Sequence, residues 1–327
     1  MKALVKGAGV AGLTLAFELA SRGADVTVIE KRHRLAGSAS WAAGGMLAPW
    51  CERESAEEAV VTLGRLALDW WETVLPGHVV RTGTLVVAPA RDTSELDRFA
   101  RRTTGFTAIG EEAIAALEPD LAGRFRRGLF FANEAHLDPR RALLALKDRL
   151  VGMGVRFEFG YGAVRVPETV DIEADCTGVE ASVPGLRGVR GEMLLLHAPD
   201  VSLARPVRLL HPRFPVYVVP RADHLFMVGA TMIESDANEP VTARSMMELL
   251  GAAYALHPAF GEAEIVEAGV GVRPAFADNL PRIGREANRI SINGLYRHGF
   301  LLAPAMARQA ADMIFNSQRE LADAAHH

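Results

Sequence analysis

The chain predicts an α/β protein of two domains, a discontinuous Rossmann-type nucleotide-binding domain and a second domain built mainly on an antiparallel β-sheet. Three observations predict it. The first thirty residues run from a short apolar strand through a glycine-rich turn and a helix to a second apolar strand. Beyond residue 178 the character changes to long β-prone runs, which belong to a sheet unlike the first. The chain then closes on a strand, a glycine turn and a helix, in the same order in which it opened.

Residues 2–6 form the opening strand and Gly7-Ala8-Gly9-Val10-Ala11-Gly12 the turn; residues 13–22 read as helix and 24–30 as a second buried strand. In that setting the glycines are a βαβ dinucleotide fingerprint. Gly7 permits the tight turn, Gly9 lets backbone approach a pyrophosphate, and Gly12 lets the helix pack close to the sheet. Val10 and Ala11 stand where the helix starts, and its free N–H groups and positive dipole end face an anion. Glu30, 18 residues after Gly12, can accept hydrogen bonds from a ribose diol. The motif by itself does not separate FAD from NAD.

Lys31 opens a basic loop to Gly37, followed by Ser38-Ala39-Ser40-Trp41-Ala42-Ala43-Gly44-Gly45-Met46-Leu47-Ala48-Pro49. These side chains are too small to build a core. The stretch reads either as a tight surface loop or as backbone laid against a flat ligand, and its place behind a nucleotide motif favours the ligand. Ser55 and Glu58 make a capping box for one helix over 56–74, with Trp70 and Trp71 as packing residues. Residues 79–89 alternate around Gly83 and read as a hairpin. Short helices follow at 94–102 and 111–117, then a strand at 128–131. Asp138 caps a helix with Pro139 at its first position, running to about 151, and 155–159 returns to strand.

Residues 169–178 read as a strand ending in small polar residues, Cys176-Thr177-Gly178, the kind of end where open α/β sheets place ligands. Cys176 reads as a small buried residue in preference to a nucleophile. The second sheet takes the runs 191–197, 216–220 and 225–231, with 221–224 as a hairpin turn. A helix over 242–256, a strand over 264–272, a loop over 273–284 and a strand over 290–293 follow. His298-Gly299-Phe300-Leu301 then leads into a helix to about 315, a second anion-stabilising helix start.

Composition narrows the class. With 327 residues, 49% hydrophobic and 23% charged, the chain has an ordinary globular balance with room for two domains. A net charge of −4 gives no basic excess to attract nucleic acid. No run of 18 apolar residues suggests a membrane span, and no signal-like segment precedes the first strand, so the cytoplasm is expected. Two cysteines are too few for a disulfide framework. No metal-ligand spacing and no G-x-S-x-G occurs. A homo-oligomer is compatible with all of this.

Gly7 to Gly12 with Glu30, the Ala43-Gly44-Gly45-Met46-Leu47 stretch, Gly191-Glu192, Tyr217 to Arg221, Gly229 to Met232, Val270 to Pro274 and Arg297 to Pro304 recur in this order in one family. The chain resembles the FAD-dependent D-amino-acid oxidase family, most closely the glycine oxidases of bacterial thiamine biosynthesis, over nearly its whole length. The resemblance implies non-covalent FAD, and no cysteine stands where sarcosine-type oxidases attach flavin. It implies oxidation of a small amino acid or amine to an imine, hydrolysis to an oxo acid and ammonia, and reduction of O2 to hydrogen peroxide. Residues 1–76, 133–190 and 270–327 would form the FAD domain, and 77–132 and 191–269 the substrate domain.

By the same resemblance Arg273 matches the arginine that binds the substrate carboxylate, Tyr217 a tyrosine that hydrogen-bonds it, Arg297 a second basic position and Met232 a residue lining the site. Two departures bear on substrate: fewer residues separate the strands near Phe159 and Ile172, so the sheet capping the FAD domain would be trimmed, and Pro215 stands where a relative has histidine. The chemistry suits these residues. A guanidinium meets a carboxylate with two hydrogen bonds, and a water-poor pocket favours the neutral amine without a histidine or carboxylate base. Backbone N–H groups of residues 298–301 would stabilise negative charge on the reduced flavin. Each side chain also has a plainer reading: Arg273 bracing a loop, Tyr217 in a core, Arg297 in a surface turn. The rival functions are a dehydrogenase passing electrons to a quinone or carrier, a non-catalytic FAD-binding partner protein, and an NAD-dependent enzyme.

Overall fold

A computed structural model describes the backbone of residues 1–160, 169–211 and 215–324, and side chains as far as residue 316. Two sheets organise it. The first runs, edge to edge, Arg282–Glu286, Arg289–Asn293, Ile172–Asp175, Lys2–Lys6, Asp25–Glu30 and Arg156–Phe159. Five of these strands are parallel, with Val5 beside both Val28 and Ala174, and only the outer Arg282–Glu286 is antiparallel. Ala3, Leu4 and Val5 are all buried, as expected of a strand covered on both faces. The helices Val10–Ser21, Pro139–Gly152 and Gly299–Ala324 cover the face that carries Ala3 and Val5. Asp138 caps the second of them, its carboxylate accepting from the N–H groups of Arg140 and Arg141 at 2.9 and 3.2 Å.

The second sheet has nine strands and is mainly antiparallel. Its path runs Ile233–Glu234, Arg187–His197, Leu225–Gly229, Val216–Pro220, Val207–Leu209, Thr84–Val87, Arg127–Phe131 and Thr107–Gly110, and Glu264–Ala275 pairs with Arg187–His197 off that path. Only Val207–Leu209 and Thr84–Val87 run parallel to each other. Strand alternation divides its two faces. Val216, Val218, Phe226 and Val228 face a core shared with the helix Ala243–Leu256. Val219 and Met227, with Tyr217 packed against them, face the first sheet's side. The large core of the first sheet draws its residues from 3–75, 135–176 and 290–314, and that of the second from 85–125 and 194–260.

Three local expectations are corrected. The helix expected over 56–74 is two, Glu58–Gly64 and Ala67–Val74. Ser55 makes no capping box, because the helix begins at Glu58 with Glu57 at its N-cap, and the Glu58 carboxylate accepts from Arg53 at 2.9 Å. The break follows Gly64, where a Cβ would lie 2.8 Å from Leu301, so the close approach of the C-terminal helix selects a poor helix former there. The expected hairpin over 79–89 is absent. Val80 bridges His136 and Thr84–Val87 pairs with Arg127–Phe131, so both halves join later chain and not each other. The loop expected from 273 begins later, since Arg187–His197 starts four residues before the expected 191 and pairs Val189 with Arg273 and Arg187 with Ala275. The trimmed segment between Phe159 and Ile172 falls largely on residues 161–168, outside those described.

One helix detail matters for the site. Pro304 lies inside Gly299–Ala324 and has no N–H to give the Phe300 carbonyl one turn back. The Trp71 indole N–H donates to that carbonyl instead, at 2.8 Å. Trp71→Phe keeps the aromatic packing and removes the donor. It is expected to lower stability by about 1–3 kcal/mol, the cost of an unsatisfied buried carbonyl, read as a fall in the urea unfolding midpoint.

Candidate active site

All the parallel strands of the first sheet point their carboxyl ends the same way, and the turns that leave them converge: Gly7 after Lys6, Glu30 itself, Cys176-Thr177-Gly178 after Asp175, and Gly294 after Asn293. At this end opens a cavity of about 450 Å³. Every candidate ligand contact read from the sequence lines it, from Gly7, Gly9, Val10 and Ala11 through Lys31, Ser38, the 43–46 backbone and Thr177-Gly178 to Met232 and Arg297-His298-Gly299-Phe300-Leu301, with one exception. Gly12 lies behind the turn, where a Cβ would strike the Gly7 carbonyl; it sets the packing of helix on strand and does not touch the cavity. Gly7 has φ +95°, and a Cβ on it would sit 2.5 Å from the Cys176 carbonyl oxygen, so both glycines follow from the crossing of chain at this point.

Two helices begin at the cavity. The Val10 N–H donates to Ser40 Oγ at 3.0 Å, while the N–H groups of Ala11 and Gly12 have no partner within the helix. Gly299–Ala324 starts beside it, where a Cβ on Gly299 would lie 3.3 Å from Val10, with Phe300 and Leu301 in its first turn. Glu30 is buried and its carboxylate is already engaged: Oε2 accepts from the Ala8 N–H at 2.9 Å, and Oε1 from the Arg32 N–H and guanidinium, each at 3.0 Å. It therefore holds the glycine turn as well as lining the cavity. Ser40, Arg32, Glu52 and Arg208 are lining residues that sequence reasoning did not single out. Ser40 lies inside the small-residue stretch that was singled out; Glu52 and Arg208 carry no local signal.

At the other end the second sheet contributes a charged cluster. Tyr217 and Arg208 pair across neighbouring strands, and the Tyr217 hydroxyl donates to Glu52 Oε1 at 2.8 Å. Glu52 ends the short helix Pro49–Glu52 and is 5% exposed. Its Oε2 lies 2.8 Å from Arg297 Nη2 without an aligned hydrogen bond, and 3.4 Å from His298 Nδ1. Burial alone would raise the Glu52 carboxyl, but the charges of Arg297, His298 and Arg208 and the tyrosine hydroxyl outweigh it and hold it at about 2. Burial pushes His298 down to about 4, despite the opposing pull of Glu52, so its imidazole is neutral at pH 7. The polar ends of Tyr217 and Arg297, expected on a substrate carboxylate, are thus committed to Glu52.

Arg273 differs. It comes from the Glu264–Ala275 strand opposite Val189, and its guanidinium lies over Gly191, where any Cβ would collide with it. Nη1 donates to the Thr231 carbonyl at 3.0 Å. The Thr231 segment is itself fixed to Glu192: the Glu192 N–H donates to Thr231 Oγ1 at 2.9 Å and the Thr231 N–H to the Glu192 carbonyl at 3.1 Å. Five basic side chains line the cavity among the described residues. Lys31 pairs with Glu180, Arg32 with Glu30, Arg208 with Glu54 and Arg297 with Glu52. Arg273 has no carboxylate partner among the described residues. Burial, with repulsion from Arg297, brings it down to about 10, and it remains charged at pH 7. Met232, 51% exposed, sits at the mouth, its sulfur 3.5 Å from both the Tyr296 hydroxyl and Arg297 Nη1.

The family described as FAD dependent oxidoreductase matches residues 2–313. A Rhizobium etli protein named as the thiamine biosynthesis oxidoreductase ThiO is 62% identical over 321 residues, covering 97% of this chain and 98% of that one. The glycine oxidase of Pseudomonas aeruginosa is 28% identical over 356 residues, covering 96% and 94%. The crystal structure of glycine oxidase from Geobacillus kaustophilus superposes with a TM-score of 0.81 at 22% identity, covering 96% and 94%, which is a likeness of fold.

A second buried carboxylate props the site from behind. Glu134 Oε1 accepts from the Cys51 N–H at 2.7 Å, next to Glu52. Burial pushes its carboxyl from 4.5 up to about 8, and the Glu52 charge adds to the rise. The folded protein therefore keeps a proton that the unfolded chain has released, and stability falls as pH rises from about 4.5 toward 8. Glu134→Gln removes that slope. Its stability relative to the unsubstituted protein is expected to climb between pH 5 and pH 8 by on the order of 1 kcal/mol per pH unit, read from urea unfolding at each pH.

Proposed function

The chain belongs to the FAD dependent oxidoreductase family, and from that premise we propose that it oxidises glycine or another small amino acid to an imine. Water then gives an oxo acid and ammonia, O2 is taken to H2O2, and the imine serves thiamine thiazole formation in the cytoplasm. The observation that carries this reading is Arg273, the one cavity-lining guanidinium without a carboxylate partner among the described residues. An amino acid whose carboxylate reaches Arg273 supplies the anion that the site lacks, and two parallel N–H···O bonds would fix its orientation.

The residues present fit FAD. The cavity joins two helix starts with free N–H groups to a floor of small residues, Ala43-Gly44-Gly45, from which nothing bulky projects. Gly9, Val10 and Ala11 would hold the pyrophosphate, Glu30 and Lys31 the ribose side, and Ser38, Met46, Thr177 and Gly178 the walls between. Bound FAD supplies the two-electron oxidation and the transfer of electrons to O2. The N–H groups of Gly299, Phe300 and Leu301 would stabilise negative charge at the helix start. Residues 1–76, 133–190 and 270–327 would carry the cofactor and 77–132 and 191–269 the substrate, a division supported by the two separate cores. Tyr217 and Arg297 act through Glu52 in this reading, and Met232 shapes the mouth.

Among the described residues Glu52 and His298 are weak bases at this end: cations hold Glu52 at about 2 and burial brings His298 down to about 4. Deprotonation of the amine is instead favoured by its removal from water. Arg273→Ala is expected to retain bound, yellow FAD while the Michaelis constant for glycine rises on the order of 10²-fold, the usual cost of truncating a charge pair. Unchanged kinetics would remove Arg273 from the site, and a colourless purified protein would remove FAD. Peroxide produced from glycine under air distinguishes this reading from electron transfer to a carrier.

A further inference from the structure

Among the described residues, four of the five basic side chains lining the cavity are matched by carboxylates of the chain itself, and the match at Arg297 is made by Glu52, which also lines the cavity. We infer that Glu52 restricts the site to substrates carrying one negative charge, by occupying the Arg297 guanidinium that would otherwise receive a second. The inference rests on the assignment of Arg273 to the substrate carboxylate.

Geometry supports it from both partners. Arg297 is reachable from the cavity, with its side chain 17% exposed and Nη1 meeting only the Met232 sulfur at 3.5 Å. A cation so placed, without Glu52, would have to take its counter-ion from the cavity. Glu52 is locked in place: the Tyr217 hydroxyl holds one oxygen, the peptide N–H beside it is anchored by Glu134, and Arg208 lies behind, donating to the Cys51 carbonyl at 3.1 Å. The other oxygen, Oε2, is buried 2.8 Å from Arg297 Nη2, so the two charges cancel and the pair leaves no net positive charge at this wall of the cavity. A second carboxylate on a substrate therefore finds no free cation there and could reach Arg297 only by displacing Glu52. Because cations hold its carboxyl at about 2, the charge persists throughout the working pH range. Glu54 does the same for Arg208, but from the side away from the cavity lining.

The test uses binding of unreactive acids to the FAD-loaded protein, followed by perturbation of the flavin absorbance and by calorimetry, so it needs no turnover. Acetate presents one carboxylate and malonate two. The unsubstituted protein is expected to bind acetate about tenfold or more tightly than malonate; equal or tighter binding of malonate overturns the inference without involving any variant. Glu52→Gln is expected to raise the malonate-to-acetate affinity ratio about tenfold or more, and the double variant Glu52→Gln/Arg297→Gln to return it to the starting value. A ratio unmoved by Glu52→Gln, or a rise that survives in the double variant, also overturns it. Should acetate fail to bind, or bind equally well to Arg273→Ala, the failure is of the carboxylate assignment at Arg273. Acetate that binds through Arg273 with no discrimination against malonate sinks only the role of Glu52.

Discussion

A guanidinium enclosed in a cavity without a carboxylate beside it is the constraint around which this chain is arranged. Desolvating such a group is unfavourable unless something holds it, and among the described residues Arg273 donates only to the Thr231 carbonyl. What keeps it there is the long ribbon of Arg187–His197 against Glu264–Ala275, with Gly191 leaving the space that the side chain crosses. The ribbon belongs to the second sheet, yet one end reaches the turns of the first, where the Tyr296 N–H donates to the Pro274 carbonyl at 2.9 Å. One sheet thereby presents a positive charge to a cavity that the other sheet has built.

The first sheet contributes geometry more than charge. Parallel strands collect their carboxyl ends, with the turns that leave them, at one edge, and two helices begin there from opposite ends of the sequence. The charges it brings are matched among themselves, Arg32 with Glu30 and Lys31 with Glu180. Matching continues into the second sheet through Glu54 and Glu52. Selectivity in such a cavity comes from what has been neutralised as much as from what has been left open, because an extra cation would bind any anion of suitable size.

How much of this was legible depends on the range of the interactions. The opening βαβ unit, the Asp138 cap and the start of the closing helix are local patterns that the sequence reads to within a few residues, whereas that helix runs nine residues past the expected 315, to Ala324. Non-local effects escaped. Gly64 interrupts a helix because Leu301 packs there, and Thr84–Val87 finds its partner forty residues on in place of the nearer segment. Arg273 was read as the start of a loop because its pairing partner, Val189, lay outside the strand expected for that region. Arg273 entered the site through resemblance to a family, and Glu52 did not enter it at all. A glutamate between Cys51 and Arg53 looks like any acidic residue near a helix; its meaning lies in Tyr217, Arg297 and His298, which are distant in sequence.

The bond from the Trp71 indole to the Phe300 carbonyl has an evolutionary consequence. Pro304 creates the vacancy that the indole fills, and it does so in the first turns of the helix that borders the cavity. A descendant that exchanged the proline for a residue with an N–H could close the helix upon itself and release the tryptophan, whereas one that lost the tryptophan first would carry an orphaned carbonyl. Positions 71 and 304 should accordingly drift as a couple, with the proline yielding first, and the order of those replacements would be written in the lineages that diverged from this chain.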